Sequence, residues 1–406
     1  MTSPRMHDTG NPTPFERVIL AGVLTGTESP DLFEIDMKEM ALLCATAGAT
    51  IVETVTQRLD APIASTYIGS GKLAEISGLM RRHRCATLII DAQLSPGQVR
   101  NIEKVVEGKV IDRGQLILDI FAKHAKTNEA RIQVELAQMK TLYPRLTHAW
   151  THFSQQVGGI GTKGPGEKQL EVDRRIIQKK ISDLNDRLKK VEKSRATQQK
   201  SRGSSFKVTL VGYTNVGKSS LLNSLSGANV HVENKLFATL DTATRRMFIP
   251  GIGEIVVSDT VGFLRKLPHH LVASFKGTLE VVSQADLLII VMDAASAWSD
   301  LQLTTVNEVL ADLSAGAVPR LLVFNKIDLV KEPFELKKLS VKYPDALFVS
   351  AFSGSDMRIV KDHIAGIIRA YKKETAISEI IAKKTKELSR ETGQDAGPSK
   401  LPWEQP

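Results

Sequence analysis

The sequence predicts an α/β protein in which two sheet-forming regions are separated by a long antiparallel helical hairpin. Three observations carry this reading. Short apolar segments rich in β-branched residues alternate with helix-length amphipathic segments in both halves of the chain, which implies mainly parallel sheets with covered faces. Between the halves, apolar residues recur at alternating spacings of four and three, the period of a coiled-coil seam. After the seam, an alternating β-branched run meets Gly212, four intervening positions, then Gly217, Lys218 and Ser219 at the start of another helix.

A chain of 406 residues exceeds one ordinary core, so several domains are expected. Hydrophobic residues make up 42% and charged residues 24%, the usage of a folded soluble protein. The longest apolar run, Ala285 to Met292, is broken by Asp286 and is too short to cross a bilayer. No N-terminal segment joins a basic start to an apolar stretch, so no secretory signal is expected either. Cys44 and Cys85 lie among apolar residues without metal-ligand neighbours and read as buried free thiols of a reducing cytosol. The expected location is cytoplasmic, with room for peripheral attachment to a membrane.

Residues 1–13 are polar and contain Pro4 and Pro12, the composition of a disordered lead. Strands are expected at Arg17 to Leu24, Thr50 to Gln57, Thr87 to Asp91 and Val110 to Asp112, with helices at Asp36 to Ala47, Leu73 to Arg82 and Leu116 to His124. A further helix should start at Pro96, capped by Ser95. Gly69-Ser70-Gly71-Lys72 imitates a phosphate loop. It lacks Gly at Thr66 and Ser or Thr at Leu73, so it reads as a tight turn before a helix.

The first seam runs through Ile132, Leu136, Met139, Tyr143, Leu146 and Trp150, the second through Leu170, Ile177, Ile181, Leu184, Leu188 and Val191. Pro144 should kink or divide the first helix. Between the seams lies Gly158-Gly159-Ile160-Gly161-Thr162-Lys163-Gly164-Pro165-Gly166, which neither helix can absorb; it is expected at the exposed tip of the hairpin. The formal net charge of +9 is uneven: residues 168–203 hold twelve Lys and Arg against five Asp and Glu. A basic helix beside a glycine tip that can approach a large flat surface suits structured RNA.

The segment Gly212-Tyr213-Thr214-Asn215-Val216-Gly217-Lys218-Ser219-Ser220 follows the predicted strand from Lys207 and has the spacing of a P-loop. Its glycines admit phosphate oxygens close to backbone N–H groups, Lys218 can reach the β- and γ-phosphates, and the Ser219 hydroxyl can bind Mg²⁺. Phe237-Ala238-Thr239-Leu240-Asp241 lies where a switch loop would fold over the γ-phosphate, with Thr239 as a Mg²⁺ ligand. Asp259-Thr260-Val261-Gly262 follows the next strand; Asp259 can hold Mg²⁺ through water, and the Gly262 N–H can detect the γ-phosphate. Asn325-Lys326-Ile327-Asp328 supplies a carboxylate that accepts from guanine N1–H and its 2-amine, donors that adenine lacks as a pair. Ser350-Ala351-Phe352 completes the base pocket.

These motifs, each after a predicted strand, place ligands where open α/β sheets bind them. They predict a P-loop GTPase domain with a mainly parallel sheet, taking GTP as substrate, releasing GDP and using Lys218, Thr239 and Gly262 in hydrolysis. Phe263 stands where many switch GTPases carry a water-orienting glutamine, so intrinsic hydrolysis should be slow. Asn215 is a candidate ligand for K⁺. The expected organisation is a lead over 1–13, an α/β domain over 14–127, the hairpin over 128–203 with its tip at 158–167, the GTPase domain over 204–371 and, over 372–406, a mobile tail that starts as a weak amphipathic helix.

The sequence resembles the HflX family of translation-factor-related GTPases. The resemblance rests on Gly158-Gly159-Ile160-Gly161, Gly164-Pro165-Gly166-Glu167, Gln169-Leu170-Glu171, Gly212-Tyr213-Thr214-Asn215, Phe237 to Asp241 and Asp259 to Phe263, and spans roughly residues 15–371. It implies a monomeric cytoplasmic GTPase that binds the large ribosomal subunit through the tip, Gly158 to Glu167, and the basic helix, 168–203. In the family the hairpin tip reaches toward the peptidyl-transferase region, and members can separate ribosomes into subunits. Some members carry another folded domain after the GTPase domain, for which the residues beyond 371 are too few. A signalling or membrane-associated switch that uses the hairpin as a protein-binding coiled coil is the alternative.

Overall fold

The computed structural model describes residues 16–149, 165–200, 205–227, 236–237, 240, 243–268 and 276–391. Among them, a four-stranded parallel sheet of order β2-β1-β3-β4 is built from β1 (Glu16–Thr25), β2 (Ala49–Leu59), β3 (Thr87–Ile90) and β4 (Lys109–Asp112). Helices α1 (Pro30–Ala47), α2 (Ser70–His83), α3 (Pro96–Val106) and α4 (Arg113–His124) connect and flank it. β1 is buried along most of its length because both of its faces are covered, which is why its sequence is an unbroken apolar run.

Local signals explain the helix limits. Ser95 and Gln98 form a capping box at the start of α3, with Pro96 in its first turn. The same Ser-Pro pair opens α1, which begins at Pro30 rather than at Asp36 and stops at Gly48, a left-handed residue with φ 83°. Gly69 is the N-cap of α2, so the imitation P-loop is indeed a turn into a helix.

Helices α5 (Asn128–Ala149) and α6 (Pro165–Lys200) make the hairpin. Ile132, Leu136 and Leu184 are buried between them, with Met139, Ile181, Leu188 and Val191 packed alongside. Lys180 pairs with Glu135 at 2.7 Å, whereas Tyr143 meets Gln178 and the Arg174 guanidinium. Later residues on one helix thus meet earlier ones on the other, the antiparallel arrangement that the two seams require. α5 continues through Pro144, so of the two expected outcomes, a kink or a division, the division does not occur. One missing N–H removes a single intrahelical bond, while Ile132, Leu136 and Met139 upstream of the proline stay packed on α6. Leu146 and Leu170 lie in stretches whose side chains are outside the described residues, as do Trp150 and the glycine segment 158–164.

The second sheet has the order β10-β9-β8-β5-β7-β6 among the described residues. Its strands are β5 (Lys207–Gly212), β6 (Thr244–Ile249), β7 (Gly253–Asp259), β8 (Leu287–Asp293), β9 (Arg320–Asn325) and β10 (Leu347–Phe348), with helices α7 (Lys218–Ser226), α8 (Lys276–Ser283), α9 (Ser299–Asp312), α10 (Pro333–Lys342) and α11 (Gly354–Glu391). All neighbouring strands are parallel except β6, an edge strand that pairs antiparallel with β7. Helix α11 runs unbroken past Tyr371, so part of the expected tail is helical.

One continuous apolar cluster links the two sheets, from β1, α1 and α4 into β5, α7 and Phe237. Phe121 of α4 meets Phe237 edge-on, with ring centroids 4.8 Å apart. Cys44 and Cys85 are buried free thiols, and burial pushes the Cys44 thiol up to about 12. Among the described residues, no helix is long and apolar enough to cross a membrane.

Candidate nucleotide site

Parallel registry brings the ends of the central strands to one edge of the second sheet. Leu210 lies opposite Asp259, Gly212 opposite Val291 and Asp293 opposite Asn325. That edge is the ligand side of open α/β sheets. The loop after β5 is stitched to its neighbours by contacts that exclude larger residues. A Cβ on Gly212 would sit 2.2 Å from the Val291 carbonyl oxygen. Gly217 has φ 91°, and a Cβ there would meet Asn325 Nδ2 at 2.3 Å.

Lys218 opens α7 and is buried; its Nζ donates to the carbonyl oxygens of Tyr213 at 2.8 Å and Gly212 at 3.2 Å. Burial lowers the ammonium to about 8, against the opposing pull of Asp259. The Ser219 hydroxyl donates to Asp259 Oδ2 at 2.5 Å. Asp259 Oδ1 is buried and has no partner, an orphaned carboxylate oxygen beside a hydroxyl. Burial raises the Asp259 carboxyl, with Lys218 and the Ser219 bond opposing. Such a pair fits a small hard cation, which takes oxygen ligands and neutralises a buried carboxylate.

The segment after Asp259 folds back on the P-loop. Thr260 Oγ1 donates to Leu210 O at 2.8 Å, Phe263 N to Gly212 O at 3.0 Å and Thr214 N to Phe263 O at 2.8 Å. Gly262 is pressed between them: a Cβ there would lie 2.6 Å from Thr214 Cα and 3.0 Å from Lys218 Nζ. The Phe263 side chain turns away into the core with Val211, Leu279 and Val282. Val261 is also buried.

On the base side, Asn325 is buried and joins three motifs. Its Nδ2 donates to Val216 O and its Oδ1 accepts from Ala351 N, both at 2.9 Å. Lys326 Nζ donates to Asn215 O at 2.6 Å and pairs with Asp293 at 2.8 Å. Asp328 is exposed in the short 3₁₀ turn Ile327–Leu329, and Phe352 is 85% exposed beside Ser350 and Ala351. Asp293 was not expected in this set; its signal was a carboxylate ending an apolar strand, as at Asp259. Ser220 is half-buried in the first turn of α7. Ala238, Thr239 and Asp241 lie outside the described residues, while Phe237 and Leu240 are buried, Phe237 against α4.

The site also reaches the N-terminal region through a buried polar cluster. The Tyr213 hydroxyl donates to Glu39 of α1 and accepts from Arg265 N at 2.9 Å. Arg113, at the start of α4, pairs with Glu39 and with Asp91 at 2.7 Å, and donates to Arg265 O at 3.0 Å. Asp36 is fully buried between Arg265 at 3.3 Å and Lys266 at 2.7 Å. Burial pushes the Glu39 carboxyl up, opposed by the Arg113 guanidinium.

A P-loop braced by an Asn-Lys-x-Asp turn, with a Ser–Asp pair beneath it, defines a P-loop GTPase. Residues 34–122 match the family described as GTP-binding GTPase N-terminal, 124–202 the GTP-binding GTPase middle region and 207–326 the 50S ribosome-binding GTPase. The GTPase HflX of Flavobacterium psychrophilum is 44% identical over 317 residues, covering 78% of this chain and 76% of the relative. That of Escherichia coli strain K12 is 44% identical over 324 residues, covering 79% and 76%. A GTP-binding protein from Sulfolobus solfataricus, solved with GDP, is 25% identical, covers 87% of this chain and 99% of its own, and has a TM-score of 0.44. The chain belongs to the HflX family of GTPases, and its reaction is hydrolysis of GTP.

Proposed function

We propose that this GTPase binds the large ribosomal subunit, 50S, in its GTP state as a monomer, and acts in ribosome splitting, rescue or recycling. The observation that carries the reading is the antiparallel hairpin, whose α6 exposes Arg174, Arg175, Lys179, Lys180, Arg187, Lys189, Lys190 and Lys193. A dense positive face of this kind is suited to rRNA phosphates. The match of residues 207–326 to a ribosome-binding GTPase family supports the same partner. In this reading the glycine segment within Gly158 to Glu167 is presented to rRNA by the hairpin.

At the nucleotide, Gly212 to Ser220 cradle the phosphates, Lys218 holds the β- and γ-phosphates, the Gly262 N–H senses the γ-phosphate, and Asp328 with Ser350 to Phe352 selects guanine. Mg²⁺ would be held by Ser219, Thr239 and, through water, Asp259, and it would offset phosphate charge in the transition state. Tyr213 and Arg265 carry the state of the phosphate site to Glu39 and Arg113. From there α4 packs on α5, the first arm of the hairpin.

Purified 50S subunits are expected to raise GTP turnover well above the intrinsic rate, with the effect falling steeply as salt rises because phosphate contacts release counterions. No stimulation by any ribosomal preparation would contradict the reading and favour a signalling or membrane-associated switch. Asn215, exposed with φ 61°, is the proposed ligand for K⁺. Hydrolysis should then be faster in K⁺ than in Na⁺, and equal rates would remove that role.

A further inference from the structure

Phe263 leaves hydrolysis without its usual water-orienting side chain, because it is 2% exposed and packed in the core. A buried hydroxyl without a partner lies nearby, in the P-loop. Thr214 is 5% exposed, and its Oγ1 is buried without a hydrogen-bond partner. A buried hydroxyl left unpaired is costly, and in a native structure it calls for a ligand, a water or a catalytic use. Its position is specific. Thr214 Cα and Cγ2 abut Gly262, whose added Cβ would meet them at 2.6 and 2.8 Å and Lys218 Nζ at 3.0 Å. Thr214 therefore adjoins both the γ-phosphate sensor and the phosphate-binding lysine. Its backbone N–H is committed to Phe263 O at 2.8 Å, which leaves the side-chain hydroxyl as its uncommitted donor.

We propose that Thr214 orients the attacking water. A hydroxyl has one proton to donate and two lone pairs to accept with, so it can donate to a γ-phosphate oxygen while accepting from the water. The water oxygen bonds to the γ-phosphorus, the bond from that phosphorus to the β–γ bridging oxygen breaks, and GDP leaves with the electron pair. One water proton passes to a γ-phosphate oxygen, so the products are GDP and dihydrogen phosphate. Thr214 keeps its own proton throughout. It acts by position, as suits a reaction with a loose transition state.

The test uses the full chain and single-turnover hydrolysis of prebound GTP. Thr214→Val keeps the shape and removes the hydroxyl; Thr214→Ser keeps the hydroxyl and removes the methyl. Thr214→Val is expected to slow hydrolysis by about tenfold or more, as loss of a positioned polar group does, with GDP affinity within about threefold of the parent. Thr214→Ser should hydrolyse within about threefold of the parent. The unfolding temperature of Thr214→Val should not fall, because an unpaired buried hydroxyl is replaced by a methyl. The proposal is overturned if Thr214→Val hydrolyses GTP at the parental rate, or if GDP affinity falls along with the rate. Equal slowing of both variants would also overturn it, by assigning the role to methyl packing on Gly262.

Discussion

Asp328→Asn is expected to weaken GTP and GDP binding by about a hundredfold or more, since the two charge-assisted hydrogen bonds proposed between Asp328 and guanine would be lost or mispaired. Asp328 is exposed in a 3₁₀ turn, whereas the structural work of that motif falls on Asn325 and Lys326, which bind Val216, Ala351, Asn215 and Asp293. The variant should therefore fold normally, with an unchanged unfolding temperature. Xanthine carries a carbonyl where guanine carries its 2-amine, and an Asn amide can donate to it. Xanthosine triphosphate should thus bind Asp328→Asn better than it binds the parent. Fluorescent-nucleotide titration reads both affinities, and undiminished GDP binding would remove Asp328 from the base pocket.

Arg113→Met is expected to cost about 3–5 kcal/mol of stability, the range for stranding partners of a buried ion pair. Arg113 is 2% exposed, and its loss leaves Glu39 and Asp91 facing each other in the core without a cation between them. It also removes the bond to Arg265 O, which fixes the segment just beyond Phe263. Adding Glu39→Gln and Asp91→Asn should recover part of the loss, because neutral amides tolerate burial better than unpaired carboxylates. Tyr213→Phe should cost less, since Glu39 keeps Arg113. Chemical unfolding of the four proteins gives the order, and a harmless Arg113→Met would show that the cluster does not hold the two regions together.

Much of the candidate nucleotide site is legible as motifs because its determinants are local. The glycines, Lys218 and Ser219 are fixed by spacing, and every motif except Phe237 to Asp241 follows a strand that its own apolar residues announce. The start of α1 was missed although Ser29-Pro30 repeats the signal read at Ser95-Pro96; the charged Asp31 and Glu34 masked it. Strand β6 was missed because only Met247 and Ile249 are buried on an edge strand carrying Arg245 and Arg246, so its apolar alternation is too short to register. The buried cluster was not legible as a cluster. Asp36, Glu39, Asp91, Arg113, Tyr213 and Arg265 come from distant segments, and only tertiary packing joins them. One hint was available: Asp36 and Glu39 share the helical face of Met40 and Leu43, which puts two carboxylates on the buried side of α1. Pro144 is the converse case, a helix-breaking residue that α5 carries without being divided.

Under the proposed function, the nucleotide state governs binding to the large ribosomal subunit. Its most direct measurement is sucrose-gradient sedimentation of the full chain with ribosomes, in GDP and in a non-hydrolysable GTP analogue. The protein is expected to migrate with 50S in the analogue, to stay at the top of the gradient in GDP, and to convert 70S particles into subunits. Sedimentation away from 50S in both nucleotides, at low salt, would contradict it.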